Sequence, residues 1–184
     1  MVLSLAQELG SIGKKVLLLD ADIRKTVYAG RLGVQEEVQG LSQFLSGQIN
    51  VSEMIYSTNY PNMDIVFGGP AAPNPSGLLS ESVFRAFLKE IRDYYNYILI
   101  DTPPIGTVID AAVIGRYCDG AVFLIEPGNV RYKDAQKAFA QLERSGCRIL
   151  GAVMNKIDTR SDKYYSSYYK HYGEYYKRSE DKDE

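Results

Sequence analysis

The sequence predicts an α/β fold: a mostly parallel β-sheet covered by helices on both faces, giving three α/β/α layers. Three observations carry this. Short apolar runs alternate with segments of helical periodicity four times along the chain. The runs are bare apolar stretches rather than apolar–polar alternations, as in strands buried on both faces. Loops bearing Asp, Gly or Pro follow the strand ends, where an open α/β sheet places its chemistry.

Taken in order, Val2, Leu3, Leu5, Ala6 and Leu9 repeat at helical spacing over residues 2–11. This helix begins at the first residue without a capping side chain, so a preceding segment is expected. Lys15–Leu19 reads as a strand that opens into Asp20-Ala21-Asp22. Residues 26–60 read as loop and short helix, with Leu41, Phe44 and Leu45 forming a packed turn. Met63–Phe67 is a second strand. Gly68–Ser76 holds three prolines and reads as a rigid loop that continues neither strand nor helix. Residues 80–93 form an amphipathic helix through Val83, Phe84, Phe87, Leu88 and Ile91. Then come a strand at 97–100, a helix at 109–117, a strand at 121–125, a helix at 130–145 and a strand at 148–154.

Bulk properties narrow the function classes. A chain of 184 residues suits one domain. A formal net charge of -2 supplies no long-range pull toward nucleic acid or an anionic membrane. No run approaches eighteen apolar residues, so no spanning helix is expected, and the N-terminus lacks the basic start of a signal peptide. Cys118 and Cys147 read as buried free thiols of a reducing compartment. His171 has no companion ligands and reads as a surface residue. Tyrosine stands out at 15 residues with no tryptophan.

Two motifs bear chemistry. In Leu17–Lys25 (LLLDADIRK), Asp20 and Asp22 follow directly on a buried strand. In extended geometry, residues two apart face one side, so the pair can hold a metal ion or accept a proton. Arg24 and Lys25 add charge suited to phosphate. In Tyr97–Gly106 (YILIDTPPIG), Asp101 ends a second apolar strand and two prolines stiffen the turn. That is the setting of the acid that orients magnesium in nucleoside triphosphatases. A third signal, Asn155-Lys156-Ile157-Asp158, has the form of a guanine-reading NKxD; a loop asparagine capping its own backbone is the plainer reading.

Together these motifs resemble the bacterial tyrosine autokinases of capsular and exopolysaccharide synthesis, in their cytoplasmic form. Leu17–Lys25 is similar to the deviant second Walker motif of that family, and Asp101–Pro104 to its Walker B sequence. Residues 68–79 resemble the family's linker and residues 146–155 its last core strand. The resemblance implies a P-loop NTPase-like domain, here over residues 1–157, that uses ATP and Mg2+ and phosphorylates tyrosine. It implies catalytic roles for Asp20, Asp22 and Asp101, with Asp22 and Asp101 at the metal. It implies nucleotide contacts from Arg24, Lys25 and Asn155. Family members carry a strand, a glycine-rich phosphate loop and a helix ahead of the Lys-Lys-Val-Leu-Leu stretch. No Gly-x-x-x-x-Gly-Lys-Ser/Thr occurs among the 184 residues. The chain is therefore expected to be N-terminally truncated and inactive as written, with the sheet neighbours of the lost strand exposed. The same resemblance implies a membrane adaptor with an activating cytoplasmic tail, a tyrosine phosphatase and a homo-oligomer. It places the protein in the cytoplasm, at the inner face of the membrane through its partner. Cell-division and plasmid-partition ATPases are the alternative, but they lack the tyrosine tail.

That tail, residues 158–184, reads as flexible and tyrosine-rich. Tyr164, Tyr165, Tyr168, Tyr169, Tyr172, Tyr175 and Tyr176 include three adjacent pairs, which cannot share one face of a helix. They resemble the family's autophosphorylated cluster and are expected to be the phosphoacceptors.

Overall fold

The computed structural model describes residues 1–25, 28–34 and 38–157. The tail and its seven tyrosines lie outside the described residues. Helix α1 (Val2–Ser11) leads into strand β1 (Val16–Asp20), every residue of which is buried. Two short helices follow, α2 (Tyr28–Arg31) and α3 (Leu41–Leu45). Strand β2 (Ile55–Ser57) and strand β3 (Met63–Val66) form a hairpin-like pair. Helix α4 (Pro75–Ser80) and helix α5 (Ser82–Ile91) precede β4 (Tyr97–Asp101). The chain continues through α6 (Asp110–Gly115), β5 (Ala121–Ile125), α7 (Tyr132–Arg144) and β6 (Ile149–Met154).

The strands form two sheets. The first has the order β2-β3-β1-β4, and the second pairs β5 with β6. All pairings are parallel except that of β2, which runs antiparallel to β3 at the edge. In the first sheet the three-layer arrangement follows from the alternation of side chains along β1. Leu17 and Leu19 join a core with Phe84, Phe87, Leu88 and Ile91 of α5. Val16 and Leu18 point the other way, into a core with Ala6 of α1 and Ile65 of β3. The α5 residues fall at i, i+3, i+4 and i+7, so one stripe of the helix is buried. Each such side chain contributes about 1.5–3 kcal/mol on burial. The small sheet has its own core: Phe123, Ala138, Leu142 and Cys147.

Four sequence expectations shift. The rigid loop ends before Pro75, because Asn74 accepts from the Gly77 N–H at 3.3 Å and proline suits the first helical position. The helix expected over 80–93 is broken at Glu81, whose ψ of 155° is extended. Strand β2 falls where the sequence predicts loop; its three residues are too few for a periodic signal. Cys147 is buried but Cys118 only half-buried, and both are free. Burial pushes the Cys118 thiol up to about 11, which keeps it protonated and unreactive at neutral pH.

Candidate nucleotide site

The register of β1 and β4 sets Asp20 directly beside Asp101. Neighbouring strands stand about 4.8 Å apart, so the acids of two distant motifs share one rim of the sheet. The ladder continues one step further, with the Ala21 N–H donating to the Asp101 carbonyl at 2.8 Å. Asp20 is 1% exposed and Asp101 half-buried.

Beyond Asp20 the chain turns instead of running on extended. Asp20 Oδ1 accepts from the Asp22 N–H at 3.1 Å. Asp22 Oδ1 in turn accepts from the N–H groups of Arg24 at 3.2 Å and Lys25 at 3.0 Å. Aspartate holds such turns because its short side chain reaches the backbone two or three residues on. The expected common face of Asp20 and Asp22 is thus replaced by a self-capped turn.

Arg24, expected at phosphate, has its guanidinium engaged within the protein. Nε donates to Asp110 Oδ2 at 2.7 Å and Nη2 to Asp110 Oδ1 at 3.1 Å. Nη2 also donates to Ser76 Oγ at 2.9 Å, and that hydroxyl donates to Asp110 Oδ1 at 2.6 Å. Asp110 is fully buried at the start of α6. Burial works to raise its carboxyl, but the Arg24 and Ser76 hydrogen bonds prevail and hold it below the usual carboxylate range. The bond to Asp110 raises the Arg24 guanidinium in return. Lys25 is exposed.

Sequence reasoning missed two residues here. One is Asp110, which reads as an ordinary helix-start acid. The other is Tyr28, whose buried hydroxyl donates a short hydrogen bond to Asp101 Oδ2. Burial, and then that bond, push the phenol well above its ordinary value, so it stays a neutral donor. The only sequence signal was a tyrosine within one turn of the DADIRK loop. Asn155 follows β6 on the second sheet, where its N–H donates to the Ile125 carbonyl at 2.8 Å. Lys156 pairs with Glu126 at 3.0 Å.

Among the described residues, no three His, Cys, Asp or Glu side chains converge as a metal cage. Two hard carboxylates on adjacent strand ends suit magnesium, which is commonly held by one or two carboxylates together with phosphates and water. Surface depressions of about 570 and 530 Å³ lie elsewhere, on the outer side of α7 and at the opposite end of the strands.

A parallel sheet covered by helices, with an acid pair on its carboxyl rim, defines a nucleotide-binding domain of the P-loop NTPase-like class. The AAA domain family profile matches residues 1–117. The tyrosine-protein kinase CpsD of Streptococcus pneumoniae is 40% identical over 175 residues, 95% of this chain and 76% of that protein. The chain therefore belongs to the bacterial tyrosine-protein kinases. Its fold matches the kinase domain of the Escherichia coli tyrosine kinase ETK with a TM-score of 0.81 at 31% identity, over 88% of this chain and 63% of that one. MinD of Pyrococcus horikoshii, a septum site-determining protein solved with Mg-ADP, matches with a TM-score of 0.72 at 26% identity, over 88% and 65%. Among the described residues no helix is long and apolar enough to cross a membrane.

Proposed function

We propose that this chain serves magnesium- and ATP-dependent phosphorylation of tyrosine, as part of an autokinase that regulates capsular or exopolysaccharide synthesis. The observation that supports it most is the register pairing of Asp20 with Asp101. ATP supplies the phosphoryl group, and magnesium the positive charge over its phosphates. Asp101 holds the metal side of the site, and Tyr28 orients its carboxylate. Asp20 accepts the proton of the incoming tyrosine hydroxyl. Asp22 braces the turn that carries Asp20. The tyrosines from Tyr164 to Tyr176 are the acceptors, and Lys25 and Asn155 contact the nucleotide. The partners of this reading are a membrane adaptor with a cytoplasmic tail, a cognate phosphatase and further copies of the chain.

The test places Asp20→Ala and Asp101→Ala in a version joined to a glycine-lysine-serine phosphate loop. Both should lose phosphotyrosine on immunoblots; persistence in both would overturn the assignment. A second reading, that the 184 residues are by themselves a phosphoacceptor without activity, is favoured by the absence of that loop from the sequence. Positioning and charge stabilisation supply most of the catalysis in phosphoryl transfer. Calorimetric titration of the chain with magnesium-ATP should then show no low-micromolar binding.

A further inference from the structure

A charge half-buried against a sheet is costly unless it is paired. Asp64 is such a charge. It stands in β3 between Met63 and Ile65, which are 2% and 1% exposed. The sheet register sets it beside Leu17 of β1 and Ser57 of β2. Its Oδ2 accepts from the Tyr95 hydroxyl at 2.8 Å. Burial, and then that bond, push the Tyr95 phenol above its ordinary value, so it stays a neutral donor. A carboxylate offers about four acceptor sites, and the phenol fills one of them. Among the described residues no Lys, Arg or His pairs with Asp64.

Asp64 lines the cavity of about 530 Å³ at the amino ends of the strands, together with Tyr60, Tyr94, Tyr95, Asp93 and Lys15. Pockets that hold small ligands commonly measure about 300–1,000 Å³. Two of the rings are anchored on opposite faces of the sheet: Tyr95 packs on the core that includes α5, and Tyr60 on the core that includes Ala6 of α1. Tyr94 is 67% exposed, which leaves its ring open to a ligand. The turn that carries Tyr60 is preformed. Thr58 Oγ1 donates to the Met63 carbonyl at 2.6 Å and accepts from the Tyr60 N–H at 3.2 Å. Lys15 is held through its backbone, its N–H donating to Asn96 Oδ1 at 2.9 Å. Two carboxylates against one ammonium make the lining net negative. Tyrosine faces attract a cation within about 6 Å of the ring centre. A guanidinium does both things this lining asks for: it forks onto a carboxylate and stacks on aromatic rings.

We propose that this cavity binds one organic cation, a guanidinium on an apolar stem, with Asp64 as its main counter-charge and the tyrosines as its walls. The guanidinium donates to the acceptor sites of Asp64 that the Tyr95 hydroxyl leaves open. Asp93 is exposed, so it adds attraction that water and salt weaken. The stem lies along Tyr60 and Tyr94. Two sources carry this group: a free alkylguanidine, or an arginine side chain of another polypeptide. The cavity sits at the start of β1 and the acid pair at its end, about 13 Å apart at the rise of a parallel strand. A cation bound here therefore touches neither Asp20 nor Asp101. The site is independent of the kinase reading, and the failure of either leaves the other standing.

The experiment is an NMR titration of the 184-residue chain, read at the backbone amides. One probe is agmatine, a free alkylguanidine; the other is an end-blocked glycine peptide with a single central arginine. The control is the same peptide with citrulline, which keeps the shape and loses the charge. Agmatine should give saturable shifts at Ser57, Asp64, Tyr94 and Tyr95 with a Kd in the millimolar range or tighter. The citrulline peptide should give none. Equal binding of the arginine peptide would assign the site to a side chain of another protein, and binding of agmatine alone to a small molecule. Asp64→Asn keeps an acceptor for Tyr95 and removes the charge; it should weaken binding by about tenfold or more. Tyr94→Ala, at an exposed position that folding tolerates, should weaken it by about threefold. No saturable shift with either probe would overturn the site. So would equal binding of the citrulline peptide, shifts gathered at Asp20 and Asp101 instead, or a Tyr94→Ala chain that binds as the parent does.

Discussion

β1 and β6 are written in the same apolar language, yet every residue of β1 is buried while β6 is exposed at all but its first position. The difference lies in their neighbours. β1 has a strand on each side and a helical core on each face. β6 has β5 on one side, and Leu150, Val153 and Met154 remain 60%, 39% and 52% exposed. Apolar composition marks a segment as suited to burial, and the sheet around it decides whether burial occurs.

The largest test of that contrast substitutes one leucine in each strand. Leu18→Ala, at a position with no exposure, should lower stability by about 3 kcal/mol through lost burial and the cavity left behind. Leu150→Ala should cost less than about 0.5 kcal/mol, as an exposed substitution does. Urea denaturation of the two variants reads the difference directly. Equal losses would mean that β6 is covered in solution.

Next in size is the bridge between the halves. Asp110→Ala leaves Arg24 without its carboxylate and Ser76 without its acceptor. A fully buried pair would cost about 3–5 kcal/mol to break; with Arg24 at 36% exposure, about 2 kcal/mol is expected. The same denaturation midpoints check it, and a loss under about 0.5 kcal/mol, the range of an ordinary surface change, would show the bridge to be ornamental. Tyr28→Phe should cost about 1–2 kcal/mol, since it removes a buried hydrogen bond to a carboxylate. Its effect should appear in the first sheet, as faster amide exchange near Asp101, and not in β5 or β6.

The smallest effect is a pH dependence. The folded Asp110 carboxyl lies below its unfolded value of about 3.9. The stability it contributes is complete above the unfolded value and is lost as pH falls through the folded one. Thermal unfolding between pH 7 and pH 3 should therefore show a smaller acid-induced drop in Asp110→Asn than in the parent chain. Identical drops would place the acid sensitivity elsewhere.

The acid pair was legible because each member ends an apolar run, and strand ends are local features of sequence. Asp20 and Asp101 needed only the parallel register to meet. Asp22 and Arg24 were legible as residues but not in their partners. A charged side chain announces that it needs a partner without naming it, and Arg24 found one 86 positions away. Tyr28 lies 73 positions from Asp101, and no periodicity connects them.

By itself the sequence determined the layered α/β class, the places of its long helices and apolar strands, and the two acids on their rim. Those follow from side-chain periodicity and from the cost of charge beside a buried strand. Only the tertiary structure decided that Arg24 closes on Asp110 and that Tyr28 caps Asp101. Each of these depends on which distant backbone or side chain comes within about 3 Å, and hydrogen bonding at that range is settled by packing, not by local pattern.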